Sequence, residues 1–221
     1  MSRQYVVIGL GRVGASLVRS LDAMGHVVLG IDHDEDIVQD LSQEVPNANL
    51  IASDDVTEPH LLRDLGVGNF DGAAVMIGEN VEASVLVTLV LKDLGVPEIL
   101  ARANGPLHAR VLNRIGADHV VQPEQEFGEF LAHRLSAPGI QDYLHIGEEE
   151  ALVRMIVPDD WVGKTLSDLR LPDTKGVTIM TLKREGEEST IPRADAVLQK
   201  GDVLVIGGPK ATLDRIAASA R

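Results

Sequence analysis

The sequence predicts the α/β fold class, with a doubly wound parallel sheet followed by a small C-terminal α+β domain. Apolar runs of strand length alternate with helical segments over the first 120 residues, and this alternation is typical of β–α–β units. A glycine-rich turn joins the first apolar run to the first helix. Beyond about residue 140, strands dominate, which indicates a second domain of different architecture.

The elements are predicted in chain order from residue type and periodicity. The apolar, β-branched run at 5–8 is typical of a buried parallel strand, and the acidic stretch at 34–36 is typical of a helix start. We expect Thr57 to cap the helix at 57–65. The other predicted strands are at 26–31, 48–52, 71–77, 98–102, 119–121, 151–157, 176–183 and 202–206, and the other predicted helices are at 15–21, 34–41, 81–94, 107–115, 124–136 and 210–219.

The domain organisation follows from this change of pattern. Residues 1–122 are predicted to form the parallel-sheet domain, 123–140 a helix and linker, and 141–221 the C-terminal domain. The linker is expected at Pro138-Gly139, because such a dipeptide ends a helix and domain boundaries favour these segments.

The turn Gly9-Leu10-Gly11-Arg12-Val13-Gly14 is the strongest functional signal. It follows a predicted strand and opens a predicted helix, which is the context that a dinucleotide fingerprint requires. Gly9 permits the tight turn, Gly11 lets the backbone approach a pyrophosphate, and Gly14 lets the helix pack on the strand. The helix N-terminus then offers free N–H groups to phosphates. The turn therefore predicts a Rossmann-like nucleotide-binding domain.

Two charged residues sharpen this prediction. Asp32 ends the second strand at about the spacing expected for the acid that accepts hydrogen bonds from the adenosine ribose. A carboxylate there also repels a 2′-phosphate, which argues against NADP. Arg12 stands at a helix N-terminus, where a cation is unfavourable, so a bound anion explains it better than a solvated side chain does.

Polar or flexible residues also follow the later strands of the predicted sheet. Asp55 and Thr57 follow the third strand, Gly78 and Asn80 the fourth, and Arg102 ends the fifth. The carboxyl ends of parallel strands border the ligand crevice of such folds. Each residue alone could serve only as a cap, but together they line one plausible crevice.

Composition limits the classes of function. The 221 residues carry a net charge of −14, which repels nucleic-acid phosphates and anionic lipid. Cysteine is absent, so no disulfide or thiolate site is expected. No secretory signal or membrane span is predicted. We therefore expect a cytoplasmic protein that does not bind nucleic acid.

The sequence offers no catalytic motif, and its seven histidines are scattered without metal-ligand spacing. A dehydrogenase would need a proton-transfer group and a substrate domain, so a nucleotide sensor is favoured over an enzyme. A small NAD-dependent oxidoreductase remains the main alternative. A redox-sensing transcriptional repressor is a second one, but it needs a basic DNA-binding element.

The chain resembles the RCK (regulator of K⁺ conductance) proteins of the TrkA and KtrA type over essentially its whole length. In this family, Arg is usual at the fourth place of the glycine turn. The segments that carry the resemblance are GLGRVG at 9–14, DVT at 55–57, AVMIGEN at 74–80, IGADHVVQPE at 115–124 and GDVLVIGG at 201–208.

The resemblance implies a regulatory subunit that binds ATP or ADP, or NAD(H), and gates a membrane K⁺ transporter or channel. It also implies homodimers that assemble as an octameric ring at the inner face of the plasma membrane. Arg12 would contact terminal phosphates, Asp32 the ribose and Asp55 the adenine side. Glu124 corresponds to an acid that holds Mg²⁺ or Ca²⁺ beside the phosphates in some relatives, although it could simply start its helix.

The predicted nucleotide-binding residues are Gly9, Gly11, Arg12, Val13, Gly14, Asp32, His33, Asp54, Asp55, Gly78, Asn80 and Arg102. The predicted metal ligand is Glu124. No catalytic residue is predicted.

Overall fold

A computed structural model describes residues 2–137, 139–146 and 149–219. The chain divides into two compact units, Met1–Pro123 and Glu124–Arg221. Pro138, in the predicted linker, lies outside the described residues. The predicted three-part division at 122 and 140 stays a prediction.

The first unit is a six-stranded sheet with helices between its strands. All its strand pairs are parallel, and the strand order is β3-β2-β1-β4-β5-β6. The strands are β1 (Gln4–Ile8), β2 (Val27–Asp32), β3 (Asn49–Ala52), β4 (Gly72–Val75), β5 (Ile99–Arg102) and β6 (His119–Val121). The helices are α1 (Arg12–Ala23), α2 (Glu35–Glu44), α3 (Pro59–Asp64), α4 (Val81–Asp93) and α5 (Pro106–Ile115).

Both faces of this sheet are covered, as expected for a doubly wound fold. Successive residues of β1 point to opposite faces. Val6 and Ile8 pack in one core cluster with Leu91 of α4, whereas Val7 packs in another with Val18 of α1. Burial on both faces explains why β1 reads as a continuous apolar run.

The second unit is built around an antiparallel sheet of four strands in the order β7-β8-β10-β9. Its elements are α6 (Pro123–Ser136, beginning one residue before the division), β7 (Ile140–Ile146), β8 (Glu150–Ile156), α7 (Leu166–Leu169), α8 (Leu171–Lys175), β9 (Thr178–Lys183), β10 (Val203–Pro209) and α9 (Lys210–Ser219). Its core holds Ile140, Val153, Met155, Trp161, Leu204, Ile206 and Leu213. The parallel sheet and small α+β domain confirm the predicted fold class.

Several local predictions differ from the structure. Thr57 is not a helix cap: α3 is preceded by Glu58, which makes no side-chain capping bond, and the Thr57 hydroxyl donates to Asp55 instead. Strand β7 was not predicted, because polar residues such as Asp142 and exposed apolar residues such as Leu144 break its alternation. Helices α7 and α8 were missed because four and five residues are too few to show a helical period.

Candidate nucleotide-binding site

The candidate site lies where the strand order of the parallel sheet reverses. Strand β1 pairs with β2 on one side and with β4 on the other. In open α/β sheets, ligands bind in the crevice outside the carboxyl ends of the strands at this switch point. The glycine turn predicted from sequence follows β1 directly and therefore borders this crevice.

Two glycines of the turn are required by the packing of the protein itself. Gly9 has φ +93, a conformation that disfavours side chains, and a β-carbon there would lie 2.9 Å from the backbone nitrogen of Ile77. A β-carbon at Gly14 would overlap the carbonyl oxygen of Gly9, because α1 packs tightly against the turn. These two residues set the shape of the turn whether or not a ligand binds.

Gly11 differs from both. It has φ −58, which any residue can adopt, and a β-carbon there would meet no atom within 4 Å. Nothing among the described residues requires glycine at this position. The space at Gly11 fits a pyrophosphate that approaches the backbone, which is the role predicted from the motif.

The start of α1 presents backbone donors and a cation. Gly11 precedes the helix without a side-chain capping bond, and the first turn contains no acidic residue. Arg12 is exposed at this end, and Val13 is half-buried against the apolar cluster beneath α1. The unpaired N–H groups and the positive end of the helix favour an anion here.

Asp32 is 6% exposed and holds the glycine turn in place. Its Oδ2 accepts from the backbone N–H of Leu10 at 2.5 Å, and its Oδ1 accepts from the N–H of Asp34 at 3.0 Å. Each carboxylate oxygen has two acceptor sites, so ribose hydroxyls still have acceptor capacity available. The exposed His33 lies with Nδ1 3.0 Å from Asp32 Oδ1.

The loop after β3 carries the next two predicted residues. The N–H of Ser53 donates to the Asp32 carbonyl at 2.8 Å, which connects the start of this loop to the end of β2. The hydroxyl of Thr57 donates to Asp55 Oδ1 at 2.5 Å and its backbone N–H at 2.9 Å; these bonds lower the pKa of Asp55. Asp54 is exposed beside it.

The loops after β4 and β5 meet each other. A β-carbon at Gly78 would lie 2.7 Å from Nη1 of Arg102, so the guanidinium rests against the Gly78 backbone. The Asn80 side chain accepts from the N–H of Ala83 at 2.9 Å and caps α4; its predicted nucleotide contact stays a prediction. Asn104, which was not predicted, donates from Nδ2 to the Gly78 carbonyl. The rule that selected Arg102, a polar residue at a strand end, would have found Asn104 two residues later.

Glu124 is an exposed residue in the first turn of α6. Among the described residues, no group of three histidine or acidic side chains is placed to hold a metal ion. A metal ion at Glu124 would thus need ligands from elsewhere, such as nucleotide phosphates or a second copy of the chain.

Among the residues that the structure describes, none of the helices has the length and apolarity that crossing a lipid bilayer requires.

Comparison with known families covers both units. The TrkA-N domain model matches residues 5–123, and the TrkA-C domain model matches residues 152–220. Ktr system potassium uptake protein C of Bacillus subtilis is 37% identical over 215 residues, which cover 97% of this chain and 96% of that protein. Ktr system potassium uptake protein A of the same organism is 35% identical over 214 residues, with coverages of 97% and 95%.

Solved structures share the fold at lower identity. The GsuK channel bound to NAD matches with a TM-score of 0.69 and 21% identity, over 99% of this chain and 39% of the channel chain. GsuK bound to ADP matches with a TM-score of 0.53 and 19% identity, over 61% of this chain and 35% of the other. The predicted resemblance is thereby confirmed: the chain belongs to the family of TrkA-N and TrkA-C domain proteins that includes the Ktr potassium-uptake proteins.

Proposed function

We propose that this chain is a regulatory subunit of a potassium-uptake system that senses an adenine nucleotide and gates a membrane K⁺ transporter or channel. The observation that carries the proposal is the turn at Gly11: open space beside unpaired helix N–H groups and an exposed Arg12, in a chain whose relatives are potassium-uptake proteins. Its place is the cytoplasmic face of the membrane, which it reaches through its partner.

The proposed ligands are ATP or ADP, or NAD⁺ or NADH, because all share an adenosine ribose that Asp32 can bind. Structural neighbours bound to NAD and to ADP support this range. Arg12 would contact the terminal phosphates, and Asp55 would lie on the adenine side. Glu124 would help to hold a divalent cation beside the phosphates.

Regulation requires that the ligand bind two shapes of the protein with different affinities. A terminal phosphate that reaches Arg12 in one shape and not in the other supplies such a difference. We further propose that dimers assemble as an octameric ring. In such a ring, the small shifts between the two shapes that each bound nucleotide causes would add together at one pore. The charge of −14 gives no support to a nucleic-acid partner.

The alternative function, a small NAD-dependent oxidoreductase, is not favoured. The relatives that match nearly the whole chain are potassium-uptake proteins. The regulatory proposal predicts nucleotide-dependent K⁺ flux when the chain is reconstituted with its membrane subunit, and no consumption of NADH. Steady NADH oxidation with a carbonyl substrate would instead support the enzyme.

The direct test is calorimetric titration of the purified chain with ATP, ADP, NAD⁺, NADH and NADP⁺. Arg12→Ala should weaken ATP roughly tenfold to a hundredfold and ADP less, since a charge-assisted hydrogen bond contributes about 1.5–3 kcal/mol. Arg19→Ala is the matched control, because Arg19 lies on the same helix and pairs with Glu44 at 2.5 Å. Equal losses of ATP and ADP in Arg12→Ala would remove the terminal-phosphate role.

A further inference from the structure

We propose that Asn104, held by His108, is a positioning residue of the nucleotide site. It fixes the Gly78 carbonyl, and with it the loop after β4 that contacts both the glycine turn and Arg102. The part of the ligand it serves is the part beyond the pyrophosphate, namely the terminal phosphate of ATP or the nicotinamide nucleoside of NAD. This inference rests on the proposed function.

The first step is the contact between the loop after β4 and the glycine turn. The N–H of Met76 donates to the carbonyl of Ile8 at 2.7 Å. A β-carbon at Gly9 would lie 2.9 Å from the nitrogen of Ile77, so the two backbones touch without room for a side chain. A displacement of residues 76–78 therefore changes the wall of the phosphate-binding turn.

A cation from the end of β5 lies against the same loop. The Arg102 guanidinium lies against the backbone of Gly78, where a β-carbon would come within 2.7 Å of Nη1. The position of Gly78 thus determines where this guanidinium can rest. The adenosine ribose is expected at Asp32, at the end of β2, and the pyrophosphate at β1. Groups at the ends of β4 and β5 consequently face what lies beyond the pyrophosphate.

The third step is the hydrogen bond that joins these two loops. Asn104 follows β5 by two residues, and its Nδ2 donates to the Gly78 carbonyl, 26 residues earlier in the chain. Asn104 is exposed, so its loss leaves no buried cavity, and water can replace the bond to the carbonyl. What its loss removes is the fixed distance between the ends of β4 and β5.

The fourth step is the support of Asn104 by His108. The backbone N–H of Asn104 donates to His108 Nδ1 at 3.2 Å, and His108 is 7% exposed. Burial lowers the pKa of His108, which favours the neutral ring with its proton on Nε2. Among the described residues, Nε2 has no hydrogen-bond partner. A buried N–H without a partner is unfavourable, and an apolar side chain at this position would not have one. Histidine is therefore explained by its acceptor, Nδ1.

The alternative is a purely local role, in which Asn104 and His108 only cap the start of α5. His108 is the third residue of that helix, and a side chain there can accept from an N–H that precedes the helix. Capping alone predicts that changes at Asn104 affect stability and all nucleotides equally. Positioning predicts a loss that depends on how far the ligand extends.

The test is the affinity of Asn104→Ala for AMP, ADP, ATP and NAD⁺, with the unfolding temperature of the ligand-free protein measured in parallel. We expect about a tenfold loss for ATP and NAD⁺, a change within twofold for AMP, and an unfolding temperature close to that of the unchanged chain. Asn104→Gln, which keeps the amide donor, should recover part of the loss. His108→Leu should reproduce the pattern, whereas His108→Asn, which keeps an acceptor near Nδ1, should lessen it.

The matched control is Asn113→Ala. Asn113 lies in α5, the helix that contains His108, and like Asn104 it donates its side-chain amide to a backbone carbonyl, that of Ala109, at 2.9 Å. It should leave every affinity within twofold. If Asn104→Ala weakens AMP as much as ATP, or weakens neither, the positioning role is wrong. If the unchanged chain binds none of these nucleotides, the proposed function itself fails, which is a distinguishable result.

Discussion

The nucleotide crevice of the first unit and a polar cluster of the second unit use polar side chains in different ways. In the first unit, Asp32 and Asn104 bond to backbone groups and hold the loops at the strand ends, while the N-terminus of α1 has no side-chain cap. In the second unit, one cluster of polar side chains is bonded within itself. The first arrangement leaves backbone donors for a ligand, and the second holds helices to a sheet.

This cluster in the second unit joins α6, β7 and α9. The ring of His133 stacks on that of Tyr143 with centroids 4.1 Å apart and planes 5° apart. The Tyr143 hydroxyl donates to Asp214 at 3.2 Å, and His145 lies 3.6 Å from Glu129. Burial, and then the charge and hydrogen bond of Asp214, raise the pKa of Tyr143 to about 12.

Hydrogen-bonded polar residues are therefore not evidence of a ligand site by themselves. The cluster around Tyr143 also gathers several titratable groups, yet these groups already have partners. The crevice is identified by what remains available there: room at Gly11 and donors at the start of α1. Three substitutions test this difference between the crevice and the Tyr143 cluster.

The largest expected effect is that of Gly14→Ala. Its β-carbon would overlap the Gly9 carbonyl, so α1 must shift away from the turn. Forced overpacking of this kind costs about 3 kcal/mol. Denaturant unfolding should show this loss of stability without any ligand. A loss below about 1 kcal/mol would mean that the turn can open, and that its shape is not fixed by packing.

Gly11→Ala should separate binding from stability. With no atom within 4 Å of the new β-carbon, the free energy of unfolding should fall by less than about 1 kcal/mol, the cost of a poorer helix cap. Nucleotide affinity should fall at least tenfold, or about 1.4 kcal/mol, since the methyl group occupies the space of the pyrophosphate. Titration and denaturant unfolding of the same preparation measure both; unchanged affinity would place the phosphates elsewhere.

The smallest effect is expected in the second unit, from Tyr143→Phe. Losing the hydrogen bond to Asp214 should cost about 1 kcal/mol at neutral pH and leave nucleotide affinity unchanged. Because the folded state raises the Tyr143 pKa to about 12, its contribution is complete below about pH 10 and is lost as pH rises through 12. The unchanged chain should therefore lose more stability over this range than Tyr143→Phe does. Equal pH profiles would contradict this account.

The fold and the centre of the candidate site could be predicted because their signals are local. The glycine turn, its flanking strand and Asp32 lie within about 30 residues, and their spacing carries the geometry. The strand-end pattern could have selected Asn104, but its role, like that of His108, depends on contacts that spacing does not encode. Asn104 acts on a carbonyl 26 residues away, and burial of His108 depends on the packing of α5. Edge strand β7 lacks the alternation that a half-buried strand usually has.

Packing requires two of the three glycines of the turn but not the third, and this difference should be visible in the evolution of the chain. Gly9 and Gly14 are kept by packing, so a descendant that has lost its ligand should still carry them. If the proposed ligand alone requires Gly11, mutation should replace this glycine once binding no longer matters. Among homologues, the position of Gly11 should therefore distinguish proteins that still bind a nucleotide from proteins that keep the fold without binding one.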